Sequence, residues 1–250
     1  MPEAVLADLS ARFRAARERR AAWEPLWRDC YAHALPSRGP NRAGGATDTT
    51  YDGTAADAVE QLAASLLAEL TPPWSSWLAL EPAAGVTTSE ARALAPMLED
   101  AGRRILAQFH RSNFAVELHQ CFLDLACVGT ATLAFEEAPT GDASAFGFTA
   151  VPADDIFVEA GPGGQVRGHF RINRLRAVDV LQRYDPWRLG PDLAERLQRE
   201  PDRRLELVEA VLAEGQGHAY AAFLGGGDDS VLLEQGHFQT SPFITFRWTK

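Results

Sequence analysis

The sequence predicts an α+β fold in which helices come first and antiparallel strands follow. Three observations carry this. Residues 54–70 and 114–128 place apolar side chains three and four apart, the spacing of one helix face. From residue 129 onward the pattern changes to short apolar runs separated by glycine, proline and aspartate, as strands and turns require. Within that region Gly161-Pro162-Gly163-Gly164 lies between two apolar runs and reads as a hairpin turn. By composition the chain divides into 1–50, an N-terminal helix and loop, 51–128, a helical region, and 129–250, mainly antiparallel strands with a short helical insertion.

Residues 3–34 read as helix, with Leu6, Leu9 and Phe13, then Trp23, Trp27 and Tyr31, in a loose helical period. Pro25 either kinks this helix or starts a second. Residues 36–53 are rich in proline and glycine and are expected to form a loop. Thr54 is the expected N-cap of the next helix, with Asp57 as its capping-box acid. Val59, Leu62, Ala63, Leu66, Leu67 and Leu70 share one face of it, and Pro72 and Pro73 end it. Ser76–Glu81 is short and apolar, and a strand is expected there.

Thr87 and Glu90 form a second capping box, opening a helix to about His110 with Pro96 as a candidate break. Asn113 suits a stop or cap. Phe114 to Val128 is the next helix, with Phe114, Leu118, Phe122 and Leu125 in phase and Gly129 as its terminating glycine. Strands are expected over Thr130–Glu136, Phe146–Val151, Ile156–Glu159 and Val166–Ile172. A short helix, Ala177–Tyr184, and a polar segment, Pro186–Arg204, with room for one more helix come next. Leu205–Ala213, His218–Leu224, Val231–Leu233 and Phe243–Trp248 complete the strands, with Gly225–Asp229 as a hairpin tip.

Composition excludes several classes. At 250 residues and 27.3 kDa, the chain can bury roughly 70–75% of its unfolded surface. Apolar residues at 46% and charged residues at 23% rule out a disordered chain, a collagen and a coiled-coil rod. No apolar run reaches ~18 residues, so no membrane span is expected. Met1–Arg20 carries acids and arginines where a secretory signal would be apolar, and the expected compartment is cytoplasmic. Three cysteines are too few for a disulfide framework. The net charge of −10 disfavours general nucleic-acid binding. Of 24 cations the sole lysine is Lys250, which excludes a Walker A loop and a Schiff-base lysine.

No catalytic, metal or cofactor set emerges. There is no G-x-S-x-G and no H-E-x-x-H, and the six histidines are scattered. Cys121 and Cys127 would lie about 120° apart on a helix and share neither a metal nor a disulfide. The acid pairs Glu136/Glu137, Asp154/Asp155 and Asp228/Asp229 read as solvated strand ends and turns; a metal-dependent hydrolase built on Asp154/Asp155 or Glu136/Glu137 is the weakest alternative. Arg12, Arg14, Arg17, Arg19 and Arg20 stand against the single acid Glu18. This cluster is either a solvated helix face or a contact for DNA or an acidic neighbour. Trp23, Trp27 and Tyr31 read as core aromatics.

The order of segments resembles the head-to-tail connector (portal) proteins of short-tailed, podovirus-type phages. Those proteins open with an arginine-bearing helix and a W-x3-W patch, here Trp23 to Trp27, followed by a Y/F-D-x-T-A helix entry, here Tyr51-Asp52-Gly53-Thr54-Ala55. An L-T-P-P-x-x-x-W segment follows, here Leu70-Thr71-Pro72-Pro73 with Trp74 and Trp77. Next come S-N-F, here Ser112-Asn113-Phe114, and G-T-x-x-L, here Gly129 to Leu133. F-x-x-V-P matches Phe148 to Pro152, and a late P-F-x-x-x-R-W matches Pro242-Phe243 with Arg247-Trp248.

The resemblance runs from about Arg12 to Trp248. It implies a wing-like fold and a structural role with no enzyme activity and no cofactor. It implies a ring of about twelve copies, built on heterologous contacts, at a capsid vertex. Through that ring double-stranded DNA is packaged and ejected. The implied partners are the chain itself, major capsid and scaffolding proteins, terminase and tail adaptors, and no membrane. Thr54, Asp57, Pro72, Pro73, Trp74, Trp77, Gly129, Pro152, Arg247 and Trp248 become structural motif residues, with Leu70–Leu78 as a packed joint. Arg12 to Arg20 become candidate subunit or DNA contacts. Family members continue past the R-W element into stem helices and a clip, so this chain is expected to be an N-terminal portion. A head- or tail-assembly component without a ring of its own is the alternative.

Overall fold

The structure is a computed structural model, and it describes residues 2–36, 52–225 and 230–248. Tyr51 of the helix-entry motif, most of the 36–53 loop, and Gly226–Asp229 of the expected hairpin tip lie outside these residues.

The N-terminal helix is two helices, α1 (Pro2–Ala21) and α2 (Glu24–Ala34). Pro25 stands in the first turn of α2, where a missing N–H costs nothing, so it starts a second helix. Helix α3 spans Thr54–Leu70, but not on the expected cap. Gly53 holds the N-cap position and makes no side-chain cap bond. Instead the Asp52 carboxylate accepts from the Thr54 N–H at 2.9 Å and the Thr54 hydroxyl at 2.6 Å. The Thr54/Asp57 capping box is thus corrected to a local Asp52 turn, which satisfies the first donor one residue earlier.

Helix α4 (Thr88–Arg111) does open on the expected box. The Thr87 hydroxyl accepts from the Glu90 N–H at 3.4 Å, and the Glu90 carboxylate accepts from the Thr87 N–H at 2.9 Å. Pro96 lies inside α4 without dividing it. One missing N–H is tolerated while the half-buried face of Leu94, Leu98, Ile105, Leu106 and Phe109 continues past it. Helix α5 (Phe114–Val128) ends at Gly129, whose φ of 78° is the left-handed conformation that glycine adopts freely. The expected strand at Ser76–Glu81 is absent. Prolines 72, 73 and 82 flank this extended run, and it pairs with no strand among the described residues.

The later chain holds β1 (Thr130–Glu137), β2 (Phe146–Val151), a 3-10 turn (Ala153–Asp155), β3 (Ile156–Ala160) and β4 (Val166–Arg176). Three helices follow: α6 (Ala177–Arg183), α7 (Pro186–Leu189) and α8 (Pro191–Arg199). The last two, each opened by a proline, replace the single helix expected in the polar segment. Strands β5 (Arg204–Glu214), β6 (Gly217–Gly225), β7 (Val231–Phe238) and β8 (Phe243–Arg247) complete the chain. One sheet has the order β2-β1-β8, the other β3-β4-β5-β6-β7. The hairpin at Gly161–Gly164 joins β3 to β4, closed by a Gly161 N–H to Gln165 carbonyl bond of 2.8 Å.

The chain folds as two compact units that cut across the compositional segments. One comprises Met1–Asp29, Val151–Thr245 and Lys250; the other comprises Cys30–Ala150 and Phe246–Thr249. In the first, the five-stranded sheet is covered on both faces. Leu9, Phe13 and Ala16 of α1 pack on Phe157, Phe170, Val208 and Phe223. Val180, Leu193 and Leu197 of α6 and α8 pack with Leu205, Leu207 and Leu224. The alternation along β5 sends successive side chains to the two cores. In the second unit α5 is central. Its Leu118, Cys121, Phe122 and Leu125 are buried, and it packs on α3 and β1. The Tyr31 hydroxyl donates to the buried Asp124 carboxylate at 3.0 Å.

Candidate functional site

The arginines of α1 divide by helix face. Arg20 falls on the same face as Phe13 and Ala16 and turns inward. Its Nη1 donates to the carbonyls of Ala153, Asp154 and Ile156 at 3.0, 2.8 and 3.0 Å. Its Nε and Nη2 donate to Glu24 at 3.1 and 2.9 Å. The guanidinium carbon lies 3.5 Å from the centre of the Phe157 ring. Burial pulls the Arg20 pKa below its ordinary value, opposed chiefly by the Glu24 carboxylate. Arg12 makes a two-nitrogen bond to Glu159 of β3, at 3.1 and 2.9 Å. Arg17 lies 3.7 Å from Glu206 of β5. Arg14, Arg17 and Arg19 are exposed. Of the five clustered arginines, two therefore serve the fold and three face outward.

The aromatic residues are equally divided. Tyr31 is buried and Trp27 half-buried, but Trp23 is 58% exposed, so the core expectation fails for it. The Leu70–Leu78 joint is half-buried at Thr71, Pro72, Trp77 and Leu78 and exposed elsewhere. Trp77 packs on Phe109 and Phe114 with ring centres 5.3 and 5.7 Å apart. Phe109 in turn meets Phe146 and Phe148, each at 5.5 Å. Leu70 and Trp74 are 57% and 77% exposed, because the turn after Pro72 carries Trp74 outward. Pro72 is half-buried, while Pro73 and Asp57 are exposed. The Pro152 carbonyl accepts from the Asp155 N–H at 2.9 Å, closing the 3-10 turn. The Trp248 N–H donates to the Gly129 carbonyl at 3.0 Å, and both Arg247 and Trp248 are exposed.

Asp228 and Asp229 lie outside the described residues; among the described ones the acid pairs assemble no reactive centre. Asp154 and Asp155 stand in the 3-10 turn; Asp155 pairs with Arg174. Burial, then the charge of Asp155, raises the Asp154 carboxyl above its ordinary pKa. Glu136 and Glu137 are exposed and line an open cleft of about 470 Å³ with Arg111, Asn113, Asp142 and Phe148. No group of three metal-ligating side chains occurs among the described residues. Cys121 is buried, its thiol 3.6 Å from the Thr132 carbonyl, and Cys127 is half-buried; the two form no disulfide with each other. No described helix is long and apolar enough to cross a membrane.

One positioning residue escapes the sequence reading. Asn113 occupies the N-cap position of α5 but makes no cap bond. Its amide instead accepts from the Phe148 N–H at 3.0 Å and donates to the Phe148 carbonyl at 2.7 Å. Glu117 accepts from the Ala150 N–H at 2.8 Å. Together they cover the outer edge of β2, an edge strand. The S-N-F motif marks the position, but the partner lies 35 residues away.

No curated protein matches the chain. The sequence does match, over residues 6–250, the family described as bacteriophage head to tail connecting protein. The chain runs through nearly every element described above within that match, and it belongs to this family of structural phage proteins that connect head to tail.

Proposed function

We propose that this head-to-tail connector acts as a portal of the podovirus type. In this reading copies of the chain close a ring of about twelve, through heterologous contacts, at one capsid vertex. The ring meets the major capsid and scaffolding proteins, admits double-stranded DNA during packaging and releases it at ejection. Docking of terminase and tail adaptors falls to the stem and clip of the family, not to residues named here. The role is structural, with no catalytic residue and no cofactor.

The observation that carries this reading is the family match over 6–250. Two features support it. Arg14, Arg17 and Arg19 are exposed cations of α1, the first two on one flank, suited to an acidic neighbouring subunit or to DNA. Trp23, Trp74, Trp187 and Trp248, between 56% and 77% exposed, are the kind of large aromatic side chains that anchor interfaces. The test is the solution mass of the purified chain by light scattering on a sizing column, with negative-stain images of any large species. A closed ring supports the proposal. A monomer at every concentration overturns the ring for this chain and leaves the family membership standing.

A further inference from the structure

The five-stranded sheet has two edges, β3 and β7, and the fold treats them differently. The Ile156 carbonyl of β3 is taken by Arg20. The start of β7 is likewise covered: the Leu233 carbonyl accepts from Arg188 of α7 at 2.8 Å, and Leu233 is buried. Past Leu233 the cover stops. Glu234, Gln235, Gly236, His237 and Phe238 are all exposed, yet all pair with β6 on their inner side. Alternate residues of such a strand direct N–H and C=O groups outward. Among the described residues, no side chain hydrogen-bonds to these outward groups. The segment also lacks the usual edge guards: it holds no proline or lysine and a single formal charge, Glu234.

On the side of α1 turned away from β3 stands an exposed cation, Arg14. Arg12 reaches Glu159 on β3, the opposite margin of the sheet. Arg17 lies about 140° further around α1 and reaches Glu206 on β5; Arg14 lies about 60° from Arg17, on the same flank. Helix α1 also touches β7. Arg14 is exposed and has no ion partner among the described residues. The chain as a whole carries 34 acids and a net charge of −10, so a second copy offers the complementary charge.

We infer that the exposed half of β7, Glu234–Phe238, with Arg14 on the neighbouring flank of α1, pairs with an extended, acid-bearing segment of a second copy of this chain. The sheet thereby continues across the subunit boundary. This rests on the ring reading and names the surface that would close it.

The experiment is amide hydrogen exchange on the wild-type chain, dilute and assembled, with light scattering on Gln235→Pro and Arg14→Glu variants. The expected result is about tenfold or slower exchange within 234–238 on assembly, with loss of the large species in Gln235→Pro and at least about fivefold weaker association in Arg14→Glu. The Arg14 variant alters only an exposed side chain, so its fold is not at stake. An assembled wild type whose 234–238 amides exchange as fast as in the dilute chain overturns the edge pairing and leaves the ring reading intact. A wild type that stays monomeric overturns both.

Discussion

Arg20 anchors the N-terminal helix to the turn that opens β3. Its side chain is 13% exposed and donates to three backbone carbonyls. Replacing it by methionine keeps the aliphatic stem but strands those carbonyls and Glu24. Arg20→Met is therefore expected to lower stability by about 2–4 kcal/mol, read from urea unfolding followed by circular dichroism. Arg12→Ala, which breaks a pair at the surface, should cost below about 1 kcal/mol in the same assay.

Asp154 works in the opposite sense. Its folded pKa lies above the ordinary 3.8, so the fold disfavours its ionised form. That penalty is absent below the ordinary value and grows as pH rises toward the raised one. Asp154→Asn should accordingly be more stable than wild type at pH 7, with the two curves meeting at about pH 3. A variant no more stable than wild type at pH 7 would show that Asp154 carries no penalty. Neither residue is legible in the sequence. Both lie in polar clusters that read as solvated, and only the packing of α1 against the 3-10 turn buries them.

At the scale of elements, local signals did well at several elements whose determinant is itself local, though not at Thr54, where the adjacent Asp52 turn replaces the expected box. The Phe114–Val128 helix, the Thr87/Glu90 box and the Gly161–Gly164 hairpin each depend on side chains within a few residues, and each stands where its pattern predicts. The misread strands share one cause. Ser76–Glu81 has the composition of a strand but pairs with no strand among the described residues, and pairing is not a local property. β4 and β7 run past their expected ends because β5 and β6 supply partners for polar residues such as Asn173 and Gln235.

Asn113 is the same lesson in one side chain. Its sequence position suggests a cap, and its folded position makes it the cover of an edge strand. Asn113→Ala should leave α5 helical, since no cap bond is lost, and raise the exchange rate of the Phe148 amide by about tenfold or more. An unchanged Phe148 rate would show that the clamp contributes nothing to the protection of that edge.

For the whole molecule, the distribution of tryptophan is the feature to test. Four of the six, Trp23, Trp74, Trp187 and Trp248, are more than half exposed. Acrylamide should quench the fluorescence of the dilute chain strongly and that of the assembled chain less, because interface aromatics are withdrawn from water. Equal quenching in the two states would remove these side chains from the contact surfaces. The sequence by itself determined the helices-then-strands order, most element positions and the connector family, because periodicity, turn residues and motif order are written within short stretches of chain. Only the tertiary structure decided which segments share a unit, which arginines turn inward and which strand edges are covered. Those outcomes rest on contacts such as Arg12 with Glu159 and Asn113 with Phe148, between residues far apart in sequence, and no local pattern encodes which distant group will arrive beside a given side chain.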